Sequence, residues 1–418
     1  MSTVTFELLL DWLQFPPLLV EPRESPSAGI GLFAVASIPA STPLFTIPAR
    51  ALLNSRSLAA HYPPALNAVQ LIALHLCLYR PLHPSPSLDP LFGPYISTLP
   101  REFDSHPLTS HVKAADPSQL PPSVVNALAR LHARYLHDWN TVRGYLRENV
   151  RLLSQKPDMH LDRGDDTLQA DFLWGWLNVN TRCIYHRIKG TRSHPDNLTL
   201  CPILDFANHT VAGPCMATRP SHAERSNAPP IPRLGDPLTL LSPTTPTQPG
   251  AELYLTYGAH PNRTLFVEYG FVAPCGPDDV RAEVDVQDIV EPMFKGNDGD
   301  AKKKLLQDSG YWGDWTLDGS PVVSYRLITA LRLLHVSLGG ADGDLQRWRD
   351  TLTGLRDAVS DVNEGAWQET VADVCSTLIQ RAQGRRKHLA PNGWLLDAVQ
   401  LLWEEEYHVA LRVLKLYN

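Results

Sequence analysis

Strand-like text occurs in this chain only as short pieces, and a long helical stretch separates the early pieces from the late ones. Leu32–Val35 and Leu44–Ile47 are β-rich and are punctuated by Gly29, Gly31, Pro39, Pro43 and Pro48. Strand-like text returns at Leu198–Leu204, Leu238–Leu241 and Glu252–Tyr257. Pieces this short, bounded by glycine and proline, read as small antiparallel strands. Between about 52 and 188 the periodicity is helical, clearest over Leu66–Tyr79 and Val124–Leu152. Ahead of the first strands, Phe6, Leu9, Leu10 and Leu13 recur at helical spacing until Pro16–Pro17. A short helix is expected over Asn262–Tyr269.

After Pro274 the character changes. Leu345, Trp348, Leu352, Leu355 and Val359 repeat at three- and four-residue steps, predicting one amphipathic helix opened by Asp342 or Asp344. Val371, Val374, Leu378 and the run Leu395–Leu416 continue in the same style. A chain of 418 residues exceeds what one core usually organises, so two domains are expected. The fold class is α+β: short strands carrying a large helical insertion, then an all-α C-terminal domain from about residue 280. Pro214–Asp236, rich in Pro, Arg, Ala and Ser without periodicity, reads as a mobile surface loop.

Composition narrows the function classes. Charged residues make up 19% and the net charge is −7, with no run of five like charges, so no nucleic-acid face is indicated. A mildly acidic protein suits a basic partner. The six cysteines, at 77, 183, 201, 215, 275 and 375, form no CxxC pair and fit no zinc template, so no metal is expected. Their scatter suits a reducing compartment. Glu7 and Asp11 interrupt the apolar N-terminal patch, and no apolar run reaches the roughly 20 residues that span a bilayer. The expectation is a cytoplasmic or nuclear protein, neither secreted nor membrane-bound, and a monomer.

Three constellations carry possible chemistry. Gly29-Ile-Gly31-Leu-Phe-Ala34 matches a dinucleotide fingerprint on paper. That fingerprint needs a helix directly after the glycines and an acidic residue about 20 positions on. Here Val35-Ala-Ser-Ile-Pro39 follows, which is no first helical turn, and Arg50 occupies the later position. Two readings remain: a plain glycine hairpin, or a hairpin whose bare backbone lets a flat ligand approach. Asn208–His209 closes the stretch after Pro202 and can read a purine edge or an amino-acid end through directional hydrogen bonds, or can be a turn. Gly250-Ala-Glu-Leu253 leads to Tyr257–Gly258, followed by Asn262 and then Tyr269-Gly270-Phe271.

In that order, G-x-G, N-H and G-x-E-L-x-x-x-Y-G resemble the SET-domain methyltransferases. Gly93-Pro-Tyr95-Ile-Ser-Thr-Leu99-Pro100 resembles the P-Y-x-x-x-L-P stretch of the Rubisco large-subunit methyltransferase branch. Phe172-Leu-Trp174-Gly-Trp176-Leu-Asn-Val179-Asn-Thr-Arg182 is similar to its W-A-x-x-x-V-x-[ST]-R helix. Trp315-Thr-Leu-Asp-Gly319-Ser-Pro, leading into Leu327–Leu334, resembles its C-terminal substrate-binding domain. The resemblance covers nearly the whole chain. The chain departs from the pattern at Ala28, where an acidic residue often stands, and at His186, where a second basic residue often follows the helix arginine. The cysteine-rich zinc tail of histone-type SET proteins is missing.

The resemblance implies a SET domain over 1–279, with its insertion at about 52–188, and a substrate-binding domain over 280–418. It implies S-adenosyl-L-methionine as cofactor and a protein lysine, on a non-histone or ribosomal-type substrate, as methyl acceptor. Tyr257 would be catalytic. Ala28, Gly29, Ile30, Gly31, Arg182, Asn208, His209, Tyr257 and Phe271 would hold the cofactor. Arg182, Asp205 and Tyr269 would line the acceptor side. The protein substrate would dock on the C-terminal helices. Two alternatives stay open from sequence: a histidine acceptor, with Asn180 or His186 fixing the tautomer, and an inactive SET-shaped interaction module.

Overall fold

In the computed structural model of the protein, the first helix, α1 (Thr3–Leu13), buries Leu9 and Leu13. It ends before the prolines expected to stop it. Gln14 turns left-handed at φ 62°, and the N–H groups of Gln14 and Phe15 return to the carbonyls of Asp11 and Leu10. That pair of bonds closes the helix in the Schellman manner, with glutamine where glycine is usual. The structure describes residues 3–25, 28–82, 85–109, 119–155, 166–188, 190–191, 193–219, 236–274, 276, 280–320, 323–339, 343–386 and 393–417. By internal packing the chain divides into two units, 1–103 with 131–258, and 104–130 with 259–418.

Among the described residues, the first unit contains three small antiparallel sheets. Strands β1 (Val20–Ser25) and β2 (Gly29–Ala34) form a hairpin, and β9 (Glu252–Leu253) pairs with β2, Leu32 opposite Leu253. Strand β3 (Pro43–Ile47) pairs with β8 (Leu238–Leu241), which also pairs with β7 (Ala217–Arg219). Strand β4 (Leu53–Asn54) pairs with β6 (Leu198–Leu200), flanked on its other edge by β5 (Ile184–Tyr185). In each sheet, strands from before residue 55 pair with strands from after residue 184. The strands expected at 19–48, 198–204, 238–241 and 252–257 are therefore present, though Glu252–Tyr257 is regular only over two residues and Leu198–Leu204 over three. The loop expected over 214–236 contains β7 at its start, and residues 220–235 lie outside the described residues.

The helical stretch contributes α2 (Ala68–Leu78), α3 (Pro122–Glu148) and α4 (Asp166–Arg182). Asn67 caps α2 in a capping box with Gln70, whose amide nitrogen then donates to Asp138 on α3 at 2.9 Å. The other oxygen of Asp138 accepts from the indole of Trp176 on α4 at 2.9 Å. One carboxylate thus ties three helices in a setting where buried polar groups need partners. Gly175 sets the spacing of α2 and α4: a Cβ there would lie 2.5 Å from the Ala73 carbonyl oxygen. Both neighbouring tryptophans are buried, and Trp174 Nε1 donates to the Pro100 carbonyl at 2.7 Å. Helix α4 is held by this packing in a fixed register, and its last residue is Arg182.

The second unit buries Trp315, Leu317, Trp348, Val371 and Val374 among other apolar residues. Its longer helices beyond residue 280, among the described residues, are α5 (Gly296–Asp308), α6 (Tyr325–Leu334), α7 (Asp344–Leu352), α8 (Asp361–Arg386) and α9 (Gly393–Tyr417). The region beyond 280 is helical as expected, with one addition, a two-stranded ribbon of β10 (Glu283–Asp285) and β11 (Thr316–Asp318). Helix α7 is shorter than its periodicity predicts. It stops at Leu352, and the left-handed Gly354 at φ 74° turns the chain, leaving Leu355 exposed. Asp344 stands in its first turn and Gly343 at its cap. Arg332 on α6 makes a two-pronged pair with Glu364 on α8, at 2.7 and 2.8 Å. No helix among the described residues is long and apolar enough to cross a membrane.

Glu406 on α9 is buried and accepts from Ser123 Oγ at 2.7 Å. Burial pushes its carboxyl up to about 7, against the opposing effect of the Ser123 bond. The folded protein therefore holds a proton that the unfolded chain has released between about pH 4.5 and 7. The associated stability is full below that window and is lost as pH rises through it, by about 3 kcal/mol at 1.36 kcal/mol per unit. Glu406→Gln should remove this dependence: melting near that of the parent at pH 5 and several degrees higher at pH 8. Parallel melting curves at both pH values would contradict it.

Candidate active site

The hairpin turn begins the site. Ala28 donates from its N–H to the Ser25 carbonyl at 3.4 Å, and Gly29 is left-handed at φ 72°. A side chain at 29 would be strained by that backbone alone, although the space around it is open. Ile30 is half-buried. Gly31 is constrained differently. A Cβ at 31 would overlap Glu252 Oε1, with Glu252 Cδ at 2.9 Å and Asn208 Nδ2 at 3.0 Å. The second glycine thus makes room for two side chains delivered by distant segments.

Asn208 and His209 arrive on a segment that runs parallel to the chain after β9. His209 bridges Leu255, with Leu255 N–H to Asn208 O at 2.9 Å and Thr210 N–H to Leu255 O at 3.0 Å. This crossing fixes both side chains by main-chain bonds. Asn208 Nδ2 donates to Glu252 Oε1 at 2.7 Å. His209 Nδ1 accepts from the Tyr257 N–H at 3.1 Å, so this nitrogen is the unprotonated one. The two rings stack with centroids 5.1 Å apart. The Tyr257 hydroxyl donates to the Ala207 carbonyl at 2.9 Å. Tyr257, His209 and Asn208 therefore form one rigid group.

Asp205 sits three residues earlier, after a strained turn. Ile203 has φ 66° and ψ −45°, and Leu204 N–H donates to Pro202 O at 2.7 Å, a γ-turn of the rarer hand. A buried β-branched residue in this conformation is an outlier that its surroundings must hold in place. The turn directs Asp205 inward, where its side chain is 1% exposed. Its Oδ2 accepts from the Tyr95 hydroxyl at 3.0 Å and lies 3.6 Å from Arg182 Nη1, which also donates to the Asp205 carbonyl at 2.6 Å. Burial raises the Asp205 carboxyl, against the Arg182 charge and the Tyr95 bond. Burial, and then the Asp205 charge, hold the Tyr95 phenol well above its usual value. Asp205 Oδ1 and Arg182 Nε are buried with no hydrogen-bond partner among the described residues. Orphaned polar atoms of both signs call for ligand or water groups.

Tyr269 and Phe271 belong to the second unit. Leu265–Tyr269 forms a single π turn, closed by the left-handed Gly270, where a Cβ would meet His106 Cα at 3.0 Å. Such turns often mark functional positions. Burial, and then Glu268, raise the Tyr269 phenol. Its ring lies 6.2 Å from those of His260 and Phe271. Asn262 closes the segment on itself, its side chain bonding the N–H and carbonyl of Ala273 at 2.7 and 3.0 Å.

Of the residues singled out in sequence, Gly31, Asn208, His209 and Tyr257 form one connected group, and Arg182 and Asp205 a second. Sequence reasoning missed Ser25, Tyr95, Glu252 and Tyr254 as site residues. Glu252 and Tyr95 stood inside quoted motifs, but nothing in those motifs shows where their side chains go. The carboxylate of Glu252 is the hub: Oε1 accepts from Asn208, and Oε2 from Ser25 Oγ at 3.0 Å and the Tyr254 hydroxyl at 2.8 Å. Burial and then the Glu252 bond push the Tyr254 phenol up to about 12.

No protein-family model matches the chain. It is 28% identical over 315 residues to a ribosomal lysine N-methyltransferase, set11, of Schizosaccharomyces pombe, covering 75% of this chain and 69% of that protein. It is 25% identical over 423 residues to SET domain-containing protein 4 of Homo sapiens, covering 96% and 88% respectively. Among solved structures it superposes on Rubisco LSMT bound to sinefungin and monomethyllysine with a TM-score of 0.68 and 19% identity, over 100% of this chain and 92% of that one.

Gly31→Ala should displace Glu252 from its three donors. Loss of charge-assisted bonds at a half-buried site is expected to destabilise the protein by about 1–3 kcal/mol. Denaturant unfolding followed by circular dichroism reads this directly. Stability equal to the parent's would mean that the Glu252 hub moves aside without cost.

Proposed function

We propose, for a chain that belongs to the SET-domain protein methyltransferases of the Rubisco large-subunit methyltransferase-like branch, that it transfers a methyl group from S-adenosyl-L-methionine to a lysine ε-amine on another protein. The observation that carries this reading is the rigid group of Asn208, His209 and Tyr257 packed against the Gly29–Gly31 hairpin. Its donors and acceptors suit the cofactor. Ala28, Gly29, Ile30 and Gly31 offer backbone, Asn208 and His209 directional polar atoms, and Arg182 a positive charge toward a carboxylate. Phe271 is assigned to the adenine side, and Asp205 and Tyr269 to the acceptor side.

When bound, the cofactor supplies an electrophilic methyl group on a sulfonium. The protein's own task is to hold donor and acceptor in line and to exclude water. A free lysine amine has a pKa of about 10.4 and is protonated at neutral pH. A narrow, desolvated entry lowers that value and releases the nucleophilic lone pair. Tyrosine hydroxyls orient such an amine without adding a full negative charge. Tyr257 is already aligned, its hydroxyl held on the Ala207 carbonyl and its ring on His209. We assign the catalytic domain to 1–279, with its insertion at about 52–188, and protein docking to 280–418. The ribosomal lysine N-methyltransferase of Schizosaccharomyces pombe named above favours a ribosomal protein as substrate class.

Tyr257→Phe removes one hydroxyl and leaves the His209 bond to the main-chain N–H of 257 intact. It should retain cofactor binding by calorimetry and lose on the order of 10²-fold in turnover. Turnover at the parent rate would remove Tyr257 from the reacting centre. For the acceptor, a proteome incubated with isotope-labelled cofactor should yield labelled lysines by peptide mass spectrometry, and replacing the labelled lysine with arginine should abolish the signal. Label confined to histidine would overturn the lysine assignment.

A further inference from the structure

We infer that His106 and Glu405 are positioning residues that clamp the two ends of the helical run Asn262–Tyr269 and so fix where Tyr269 stands. This rests on the assignment of Tyr269 to the acceptor side and deepens it by naming what holds that tyrosine in place. The run is the short turn Asn262–Thr264 passing directly into the π turn Leu265–Tyr269. A run this short leaves most of its end groups without partners inside it. Its cap is Pro261, which has no side-chain acceptor to offer. The acceptor comes instead from α9: both carboxylate oxygens of the buried Glu405 reach the Asn262 N–H, at 3.2 and 3.3 Å. A negative group there also suits the positive end of the run.

His106 serves the other end. Its Nε2 lies 3.2 Å from the Glu268 carbonyl oxygen, and its Nδ1 lies 3.3 Å from the Leu108 nitrogen. A carbonyl only accepts and a main-chain N–H only donates, so the ring proton is on Nε2. Burial lowers the imidazole to about 4, so the ring is neutral at physiological pH and keeps that tautomer. Gly270 packs on the same side chain, where a Cβ would lie 3.3 Å from His106 Cβ and Cδ2. Between the two clamps, Arg263 pairs with Glu283 at 2.6 Å and Asp285 at 3.0 Å on β10. The clamp matters because a π turn holds roughly one residue more than an α turn. Relaxation to α winding would rotate the residue at its end by about 100°. Tyr269 is that residue, half-buried between Glu268 and Gly270.

The test uses full-length protein carrying fluorotyrosine at position 269, read by fluorine NMR. His106→Gln keeps a donor near the Nε2 position and Glu405→Gln keeps an acceptor, whereas His106→Leu and Glu405→Leu keep neither. Both leucine variants should shift the resonance of residue 269, and both glutamine variants should leave it at the parent position. On the lysine-bearing protein recovered in the labelling experiment, the leucine variants should lose on the order of 10- to 10²-fold in kcat/KM. Their Kd for S-adenosylhomocysteine by calorimetry should stay within about twofold of the parent's, and glutamine should restore turnover. His106→Asn, too short to reach the Glu268 carbonyl, takes the place of His106→Leu if the leucine variant does not fold. The two clamps lie on separate elements, so either one decides the question if the other variant is lost. An unmoved resonance in the leucine variants, or equal shifts with glutamine and leucine, would overturn the clamp. A shifted resonance with turnover at the parent rate would instead overturn the assignment of Tyr269 to the acceptor side.

Discussion

A single carboxylate, Glu252, joins three segments of the site. It accepts from Ser25 on the first strand, Asn208 on the crossing segment and Tyr254 beyond the last strand of the same sheet. Each of those residues is short of a partner without it, and a half-buried carboxylate without donors would be costly. The bonds are mutually required, so the hairpin, the Asn208–His209 segment and Tyr257 are held as one object. The close approach at Gly31 follows from the same constraint, because the glycine stands where Glu252 must fit.

The helical insertion acts on the site from its far end. Asp138 and Gly175 fix α4 against α2 and α3, one through two hydrogen bonds and the other through lack of a side chain. The outcome is the position of Arg182 at the end of α4, 3.6 Å from a carboxylate that is almost fully buried. Such a pair is stabilising only if its hydrogen bonds are good. Here Tyr95 and the main chain of residue 205 supply them, and the strained turn at Ile203 aims the carboxylate inward. Strain of this kind is held in place by its surroundings, and the orphaned polar atoms beside it call for ligand or water groups.

In the second unit, apolar burial and a few ion pairs do the work. Arg332 joins α6 to α8 through Glu364, and Arg381 on α8 reaches Asp288 at 2.6 Å. The buried Glu406 is costly to ionise at neutral pH, and burial is the reason. The π turn before Gly270 carries Tyr269, the last of the tyrosines assigned to the reaction.

The sequence by itself determined the kinds of elements and their order. Helices α2, α3, α8 and α9 and strands β2, β3 and β8 stand where periodicity and proline or glycine boundaries put them, because those signals are local, whereas α4 was marked only by its resemblance to a family motif. The ordered motifs also marked Gly31, Asn208, His209 and Tyr257 as belonging together. Tertiary structure alone decided which strands pair, since partners such as Leu32 and Leu253 are more than two hundred residues apart and both are simply apolar. It decided the end of α7, where Gly354 and the lack of a burying partner for Leu355 outweigh the apolar repeat. It also decided the role of Glu252. In the sequence that residue is one acidic letter in a strand. Three donors brought from separate segments make it the centre of the site, and donor geometry is a property of the folded chain.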